Sequence, residues 1–298
     1  MSSHQSTGKH DMEFGRPLQA EHYLKYRPLY PDDFIEDLIK SHVDKARARA
    51  PDGKVNAIDL TCGSGQLTCK LLPYFDKVVG VDFSVAQLDN AAKAFTAEMA
   101  AGKLSFLKFD CSKIDELLES PQMRELDPQF VFIGEGFHWF HCDDFLDRFK
   151  KATAGKHIFL VLVSYWTFQL FDASKEHCDA IYGWVEKVNP FFKFNREFLD
   201  DEYRTLDFTK WFDGVRFQRY YQTISKRQIG HFLGYLSTWS AYRNHLEKHG
   251  EEPENDPLML LSKELGLEGG KDYEHMVAQP GGLAEITYRN RFFAYVLL

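Results

Sequence analysis

The stretch Asn56-Ala57-Ile58-Asp59-Leu60-Thr61-Cys62-Gly63-Ser64-Gly65 decides how the chain is read. Val55 to Leu60 is a short, largely apolar run of strand length, and it passes without a break into a tight glycine turn. Beyond the turn, Leu67, Leu71 and Leu72 fall on one face of an expected helix. Gly63 and Gly65 have no Cβ, so the backbone can turn sharply and a ligand can come close. The first N–H groups of a helix lack partners within it and face whatever lies over such a turn, which suits a nucleotide-like ligand.

Reading outward, Lys77 to Val81 is almost wholly apolar, as a central parallel strand should be, and it ends at Asp82. Asp82 stands 17 residues after Gly65, near the roughly 20-residue spacing at which an acidic residue reaches ribose hydroxyls in Rossmann-type sites. A lone acidic residue at a strand end is commonly a helix cap, but this spacing favours a ligand. Ser84 and Gln87 read as a capping box for the next helix. Further strands are expected at Leu104–Phe109, Gln129–Ile133 and His157–Val163. They end at Asp110-Cys111-Ser112, at Gly134-Glu135-Gly136-Phe137-His138-Trp139-Phe140 and at Ser164-Tyr165-Trp166.

Strands alternating with helices call for a parallel sheet with right-handed crossovers and a ligand beyond the carboxyl ends of the strands. With Val215–Ile224 and Ala284–Leu298 as the last strands, the expected fold is α/β, Rossmann-like and doubly wound, on a mostly parallel seven-stranded sheet. Between those two strands Ser225 is expected to cap one helix reaching to His245. The alternation fails from Thr167 to about Phe212, a segment rich in Phe, Tyr and Trp that reads as a helical cap or insertion.

Composition narrows the function. A formal charge of −8 disfavours a general nucleic-acid or anionic-membrane surface, and aromatic residues at 15% suit a walled small-molecule pocket. Five scattered cysteines without a CxxC pair suggest free thiols and no zinc site. No run reaches the roughly 18 apolar residues of a membrane span, and Met1 to Asp11 lacks the apolar core of a signal peptide, so a cytoplasmic protein is expected. The expected partner is a small-molecule acceptor, with neither nucleic acid nor membrane, for a monomer or homodimer.

Asp59-Leu60-Thr61-Cys62-Gly63-Ser64-Gly65 resembles the glycine motif of class I S-adenosylmethionine-dependent methyltransferases. Val81-Asp82-Phe83-Ser84 and Phe109-Asp110 resemble their second and third motifs. More narrowly, Tyr23-x-x-x-Arg27-Pro28-x-Tyr30-Pro31, His138-Trp139-Phe140 and Leu236 to Tyr242 are similar to the small-molecule group typified by trans-aconitate methyltransferase. The family usually has glycine where this chain has Thr61. A β-branched residue disfavours φ > 0, so the turn is expected to form with Thr61 in the β region.

The resemblance implies S-adenosyl-L-methionine as cofactor. It implies Asp59, Thr61, Gly63 and Gly65 around the methionine moiety, Asp82 on the ribose, Asp110 and Cys111 at the adenine beside Phe83, and Glu135 and Gly136 beneath the sulfonium. It further implies methyl transfer to a small carboxylic acid at oxygen, with Arg27 as the first candidate to hold the acid among Tyr23, Tyr26 and Tyr30. Tyr165, Trp139 and Trp239 are candidate pocket walls, and His138 is the candidate base. The domain reading is a disordered tail at 1–13 and one domain over 14–298, divided into a cofactor-binding core (14–166), a cap (167–213) and C-terminal strands with substrate-side helices (214–298). Other readings remain: N-, S- or C-methylation of another metabolite, or a catalytically silent binding or regulatory protein suggested by Thr61. A nicotinamide dehydrogenase is the weakest, because Thr68 stands where a third glycine would complete Gly-x-Gly-x-x-Gly.

Overall fold

The computed structural model describes residues 22–298 except Leu24, Pro51, Thr167 and Asn195, and for Gln218, Arg219 and Tyr220 only the backbone. The expected tail at 1–13 and the domain start at 14 lie outside the described residues. Helix α1 (Asp32–Arg49) starts after Pro31, with Asp32 and Asp33 in its first turn, and buries Phe34, Ile35, Leu38, Ile39 and Val43. Acidic side chains there complement the positive end of the helix dipole.

The central sheet takes its order from apolar strands. Strand β1 (Asn56–Leu60) pairs in parallel with β2 (Lys77–Asp82) on one edge and β4 (Phe130–Gly134) on the other. Strand β3 (Leu104–Lys108) flanks β2, and β5 (Phe159–Tyr165) flanks β4, both in parallel. The order therefore reverses between β1 and β4, which is where an open α/β sheet leaves its crevice. Short strands β8 (Leu267–Glu268) and β9 (Val277–Ala278) form a separate antiparallel pair, and strand β10 (Glu285–Leu297) runs antiparallel to β5 and to the long β7 (Val215–Gln228). The seven expected strands are joined by an eighth, β6 (Gln169–Phe171), which pairs with β10 past the end of β5. Buried side chains form one cluster on each face of the sheet and a third where the segment 168–188 packs against the segment 229–288.

Between the strands lie α2 (Thr68–Leu71), α3 (Val85–Ala94), α4 (Thr96–Ala100), α5 (Ile114–Glu119), α6 (Pro121–Leu126) and α7 (Cys142–Ala152). After β6 come α8 (Lys175–Val188) and α9 (Arg196–Asp200), and after β7 come α10 (Ile229–Ser237), α11 (Ser240–His249) and α12 (Pro257–Glu264). The expected single helix from Ser225 is corrected in two ways. Ser225 remains in β7, paired with Tyr288, because the long ladder with β10 outweighs a local cap. The helix then breaks at Thr238-Trp239, where Trp239 is extended at φ −70° and ψ 131°.

Thr61 is the second correction. It is not in the β region but left-handed, at φ 62°, and Glu135 at the end of β4 is also left-handed, at φ 51°. Such a conformation costs a non-glycine residue on the order of 1–3 kcal/mol, so the surroundings must impose it. They do so through Gly136: a Cβ on that residue would lie 2.0 Å from Thr61 Oγ1 and 2.8 Å from Thr61 Cβ. The side chain that glycine would lack in the turn is accommodated by a glycine across the seam. Thr61 Oγ1 also donates to the Leu60 carbonyl.

Gly136→Ala should therefore cost roughly 1–3 kcal/mol by overpacking, and the penalty should fall by more than half in a Thr61→Gly background. Urea unfolding of the four proteins measures this coupling, and equal penalties in both backgrounds would contradict the packing account.

Candidate functional site

The glycine turn is held from several sides. Cys62 N–H extends the β1–β2 ladder to the Val81 carbonyl (3.0 Å), and Gly65 N–H closes the turn on the Cys62 carbonyl (2.9 Å). Asp82 accepts from Gly63 N–H and from Ser84 N–H, both at 2.9 Å, so its carboxylate ties the end of β2 to the loop. Ser84 caps α3 as expected, while the Gln87 side chain reaches forward to accept from Ser64 Oγ (2.7 Å).

The two glycines differ in role. A Cβ at Gly63 (φ 54°) would meet nothing within 4 Å, so the backbone there faces open space. At Gly65 (φ 92°) it would come within 2.5 Å of the Phe95 ring, so the close approach is made by a core side chain rather than a ligand. Asp59 is fully buried at the base of the loop: Oδ2 accepts from Thr68 Oγ1 (2.5 Å), whereas buried Oδ1 has no partner among the described residues. Burial, aided by Asp82, pushes the Asp59 carboxyl up to about 7 despite the Thr68 hydrogen bond.

Two narrow cavities meet at the ends of β4 and β5. One, of about 30 Å³, is lined by the loop residues Asp59, Thr61, Cys62 and Gly63 and by Tyr30. The other, of about 80 Å³, is lined by His138, Trp139, Phe192, Phe194, Arg196 and Trp239. Tyr23, Arg27, Glu135 and Tyr165 line both. A larger hollow, of about 1070 Å³, opens at the other end of the molecule around Arg49, Asp76, Lys156 and Leu298, at the amino ends of the strands and away from the loop.

The roof comes from the segment before α1. Gln66 Nε2 donates to the Tyr23 carbonyl (3.2 Å). Arg27 donates from Nε to Thr238 Oγ1 (2.8 Å), from Nη1 to Tyr165 OH (3.0 Å) and from Nη2 to the Thr238 carbonyl (3.3 Å). Its guanidinium lies 4.6 Å from the Tyr23 ring centre. The helix break at Thr238 thus supplies the carbonyl that fixes Arg27 across the cavities. Tyr26 is different: its ring packs against Gly234 of α10 and against His231 and Tyr273, and it lines neither cavity.

His138 is buried, and Nδ1 lies 3.0 Å from Tyr203 OH, which in turn lies 3.2 Å from Ser164 Oγ. Ser164 also hydrogen-bonds Glu135, whose Oε1 accepts from Tyr165 N–H (2.7 Å). A continuous chain therefore joins His138 to Glu135. Burial pushes the His138 ring down to about 3, with Arg27 and Arg196 adding to the shift. Burial likewise raises Glu135 to about 7, against the opposing pull of the Tyr165 N–H, Arg27, Ser164 and Arg196.

Other expected residues lie along the same edge but outside both cavities. Asp110 accepts from the Ser112 hydroxyl (2.7 Å), and Cys111 is buried with Sγ facing the Val81 carbonyl (3.7 Å). Phe83 is half-buried, and Gly136 sits under Thr61. The sequence reading missed Arg196, Ser164 and Tyr203. Ser164 had a signal, as the polar residue within Phe159-Leu160-Val161-Leu162-Val163-Ser164-Tyr165. Arg196 stands among aromatics, with its guanidinium 4.7 Å from the Phe192 ring centre and 5.5 Å from that of Trp239, and its Nε pairs with Asp200 (3.2 Å).

The chain is similar to several known proteins. Residues 57–155 match the family model of the methyltransferase domain. A Dictyostelium discoideum protein that bears the name methyltransferase is 27% identical over 240 residues, covering 78% of this chain and 79% of its own. A Saccharomyces cerevisiae protein named for S-adenosylmethionine-dependent methyl transfer is 28% identical over 122 residues, 41% of this chain and 37% of its own. A solved type II methyltransferase, so named, from Anaeromyxobacter dehalogenans is 21% identical and superposes with a TM-score of 0.53 over 90% of this chain and 97% of its own, a likeness of fold.

Asp59 gives a stability test. Its folded pKa lies above the unfolded value of about 3.9, so the folded protein binds more protons between about 4 and 7 and loses stability as pH rises through that window. Asp59→Asn should stabilise the ligand-free protein by on the order of 1–3 kcal/mol at pH 8 and change it little at pH 5. Thermal unfolding at the two pH values measures this, and destabilisation at pH 8 would contradict it.

Proposed function

We propose that this S-adenosylmethionine-dependent methyltransferase methylates a small carboxylic acid at oxygen. The observation that carries the reading is the aromatic cavity of about 80 Å³, which brings two guanidinium groups, Arg27 and Arg196, beside a histidine that stays neutral. Guanidinium groups suit carboxylates, and an acceptor that is already ionised needs no base.

The loop side fits the cofactor on its own features. The unpartnered Oδ1 of Asp59 can accept from an ammonium group, and Gly63 leaves the space that a Cβ would fill. Asp82, whose carboxylate ties the end of β2 to the loop, is an acceptor placed for ribose hydroxyls, since charge-assisted hydrogen bonds are the strong ones. Phe83, Asp110 and Cys111 flank the edge where the adenine would lie. When bound, the cofactor supplies an electrophilic methyl on a sulfonium sulfur.

The remaining chemistry is positioning. Tyr23, Tyr30, Tyr165, Trp139 and Trp239 exclude water, which strengthens every charge interaction inside the site. Arg27, fixed by Tyr165 and Thr238, keeps two of its five N–H donors for the acceptor, and Arg196 approaches from the cap. Holding the acceptor oxygen at attack distance accounts for most of the acceleration available here. His138, neutral across the physiological range, orients the acceptor through its ring rather than removing a proton.

The test offers labelled S-adenosylmethionine with a panel of small acids, phenols, amines and thiols. Alkali-labile label on acids supports the reading. Label only on phenols, amines or thiols would contradict it, and cofactor binding without any transfer would favour the silent binding protein instead. With the preferred acid, Arg196→Ala should raise KM roughly tenfold or more, from the loss of a charged hydrogen bond, with a smaller effect on kcat. An unchanged KM would remove Arg196 from the acceptor site.

A further inference from the structure

Glu135 is a half-buried, desolvated carboxylate in an unusual setting. It lines both cavities, its backbone is left-handed, and it is held by the Tyr165 N–H and the Ser164 hydroxyl. No cation lies within ion-pair distance of it among the described residues. The two nearby guanidinium groups are turned elsewhere, Arg27 to Thr238 and Tyr165 and Arg196 to Asp200 (3.2 Å). A desolvated charge without a counter-charge is costly, so this arrangement is suited to a ligand that brings the positive charge itself.

The place of that charge follows from the cavities. A methyl group passing from the loop cavity to the aromatic cavity must cross the wall they share. Apart from Glu135, the described residues of that wall are Tyr23, Arg27 and Tyr165, so Glu135 is its only carboxylate among the described residues. Arg27 on the same wall would repel a sulfonium, and Glu135 is placed to offset it.

We propose that Glu135 is the residue by which this site distinguishes the cationic sulfonium cofactor from its neutral thioether product. The proposal rests on the cofactor reading above and goes beyond it. After transfer the sulfur is neutral, Glu135 loses its counter-charge, and the product is held only by contacts that the two ligands have in common. Selective weakening of product binding is the consequence.

Several titratable or charged groups face Glu135: Tyr23, Arg27 and Tyr30 from the roof, Asp59 from β1, His138 after β4, Tyr165 on β5, Arg196 and Tyr203 from the cap, and Tyr235 from α10. The tyrosines are raised and His138 is lowered, so Asp59 alone among these titrates near Glu135. Asp59 faces the amino acid end that both ligands share, so its effect cancels in the ratio of their affinities.

The test is isothermal titration of the full chain with S-adenosylmethionine and S-adenosylhomocysteine at pH 6 and pH 8. In the wild type, the preference for the sulfonium should rise by roughly threefold or more between the two, because a carboxyl near 7 ionises across that window. Glu135→Gln should weaken S-adenosylmethionine roughly tenfold or more and S-adenosylhomocysteine less than about threefold, with a ratio that no longer responds to pH. Equal weakening of both ligands, or a wild-type ratio flat with pH, would overturn the proposal. A wild type that binds neither ligand would overturn the cofactor reading and the proposal together. A second probe needs no variant: an analogue carrying a protonated amine in place of the methyl sulfonium should bind the wild type more tightly than the thioether, and equal or weaker binding would overturn the proposal.

Discussion

Thr61 packed against Gly136 is the constraint from which the site's geometry follows. Leu60 and Ile133 are in register on adjacent parallel strands, so the chain leaves β1 and β4 side by side. Both exits are left-handed, at Thr61 and Glu135, and they fit together because Gly136 has no side chain. Two strained backbones placed next to each other are each held by the sheet behind them, which is how such conformations persist at functional sites. The seam turns the glycine loop toward one cavity and Glu135 toward the junction with the other.

The electrostatics follow from that geometry. Asp59 is fully buried at the base and Glu135 half-buried at the junction, and desolvation raises both toward neutrality. Their charge is a liability in the ligand-free protein and an asset against a cationic ligand, the usual sign of a site that exchanges stability for function. On the acceptor side the charge pattern reverses, with Arg27 and Arg196 among aromatic rings. Under the proposed function a compartment for the cationic cofactor abuts one for an anionic acceptor, with Glu135 on the wall they share.

Much of this was legible in the sequence. Apolar runs of strand length alternating with helices gave the parallel sheet, because strands buried on both faces have no polar alternation to obscure them. Asp82 was legible from its distance to the glycine turn. The conformation of Thr61 was not, since it depends on Gly136, 75 residues away in the chain but across one strand pair in space. Ser225 showed a plausible cap, yet its place was decided by a ladder with β10 that no local pattern contains. Tyr26 looked equivalent to Tyr23 and Tyr30, but helical spacing turns it into the cluster around α10. Arg196 and Tyr203 come from a segment without periodicity, where sequence gives composition and little position.

The most direct test of the account is a crystal structure of the complex with S-adenosylhomocysteine. The account predicts the amino group on Asp59 Oδ1, the ribose hydroxyls on Asp82, and the sulfur in the wall between the two cavities, beside Glu135. A ligand bound with its sulfur away from Glu135, or one seated in the hollow at the opposite end of the sheet, would contradict it.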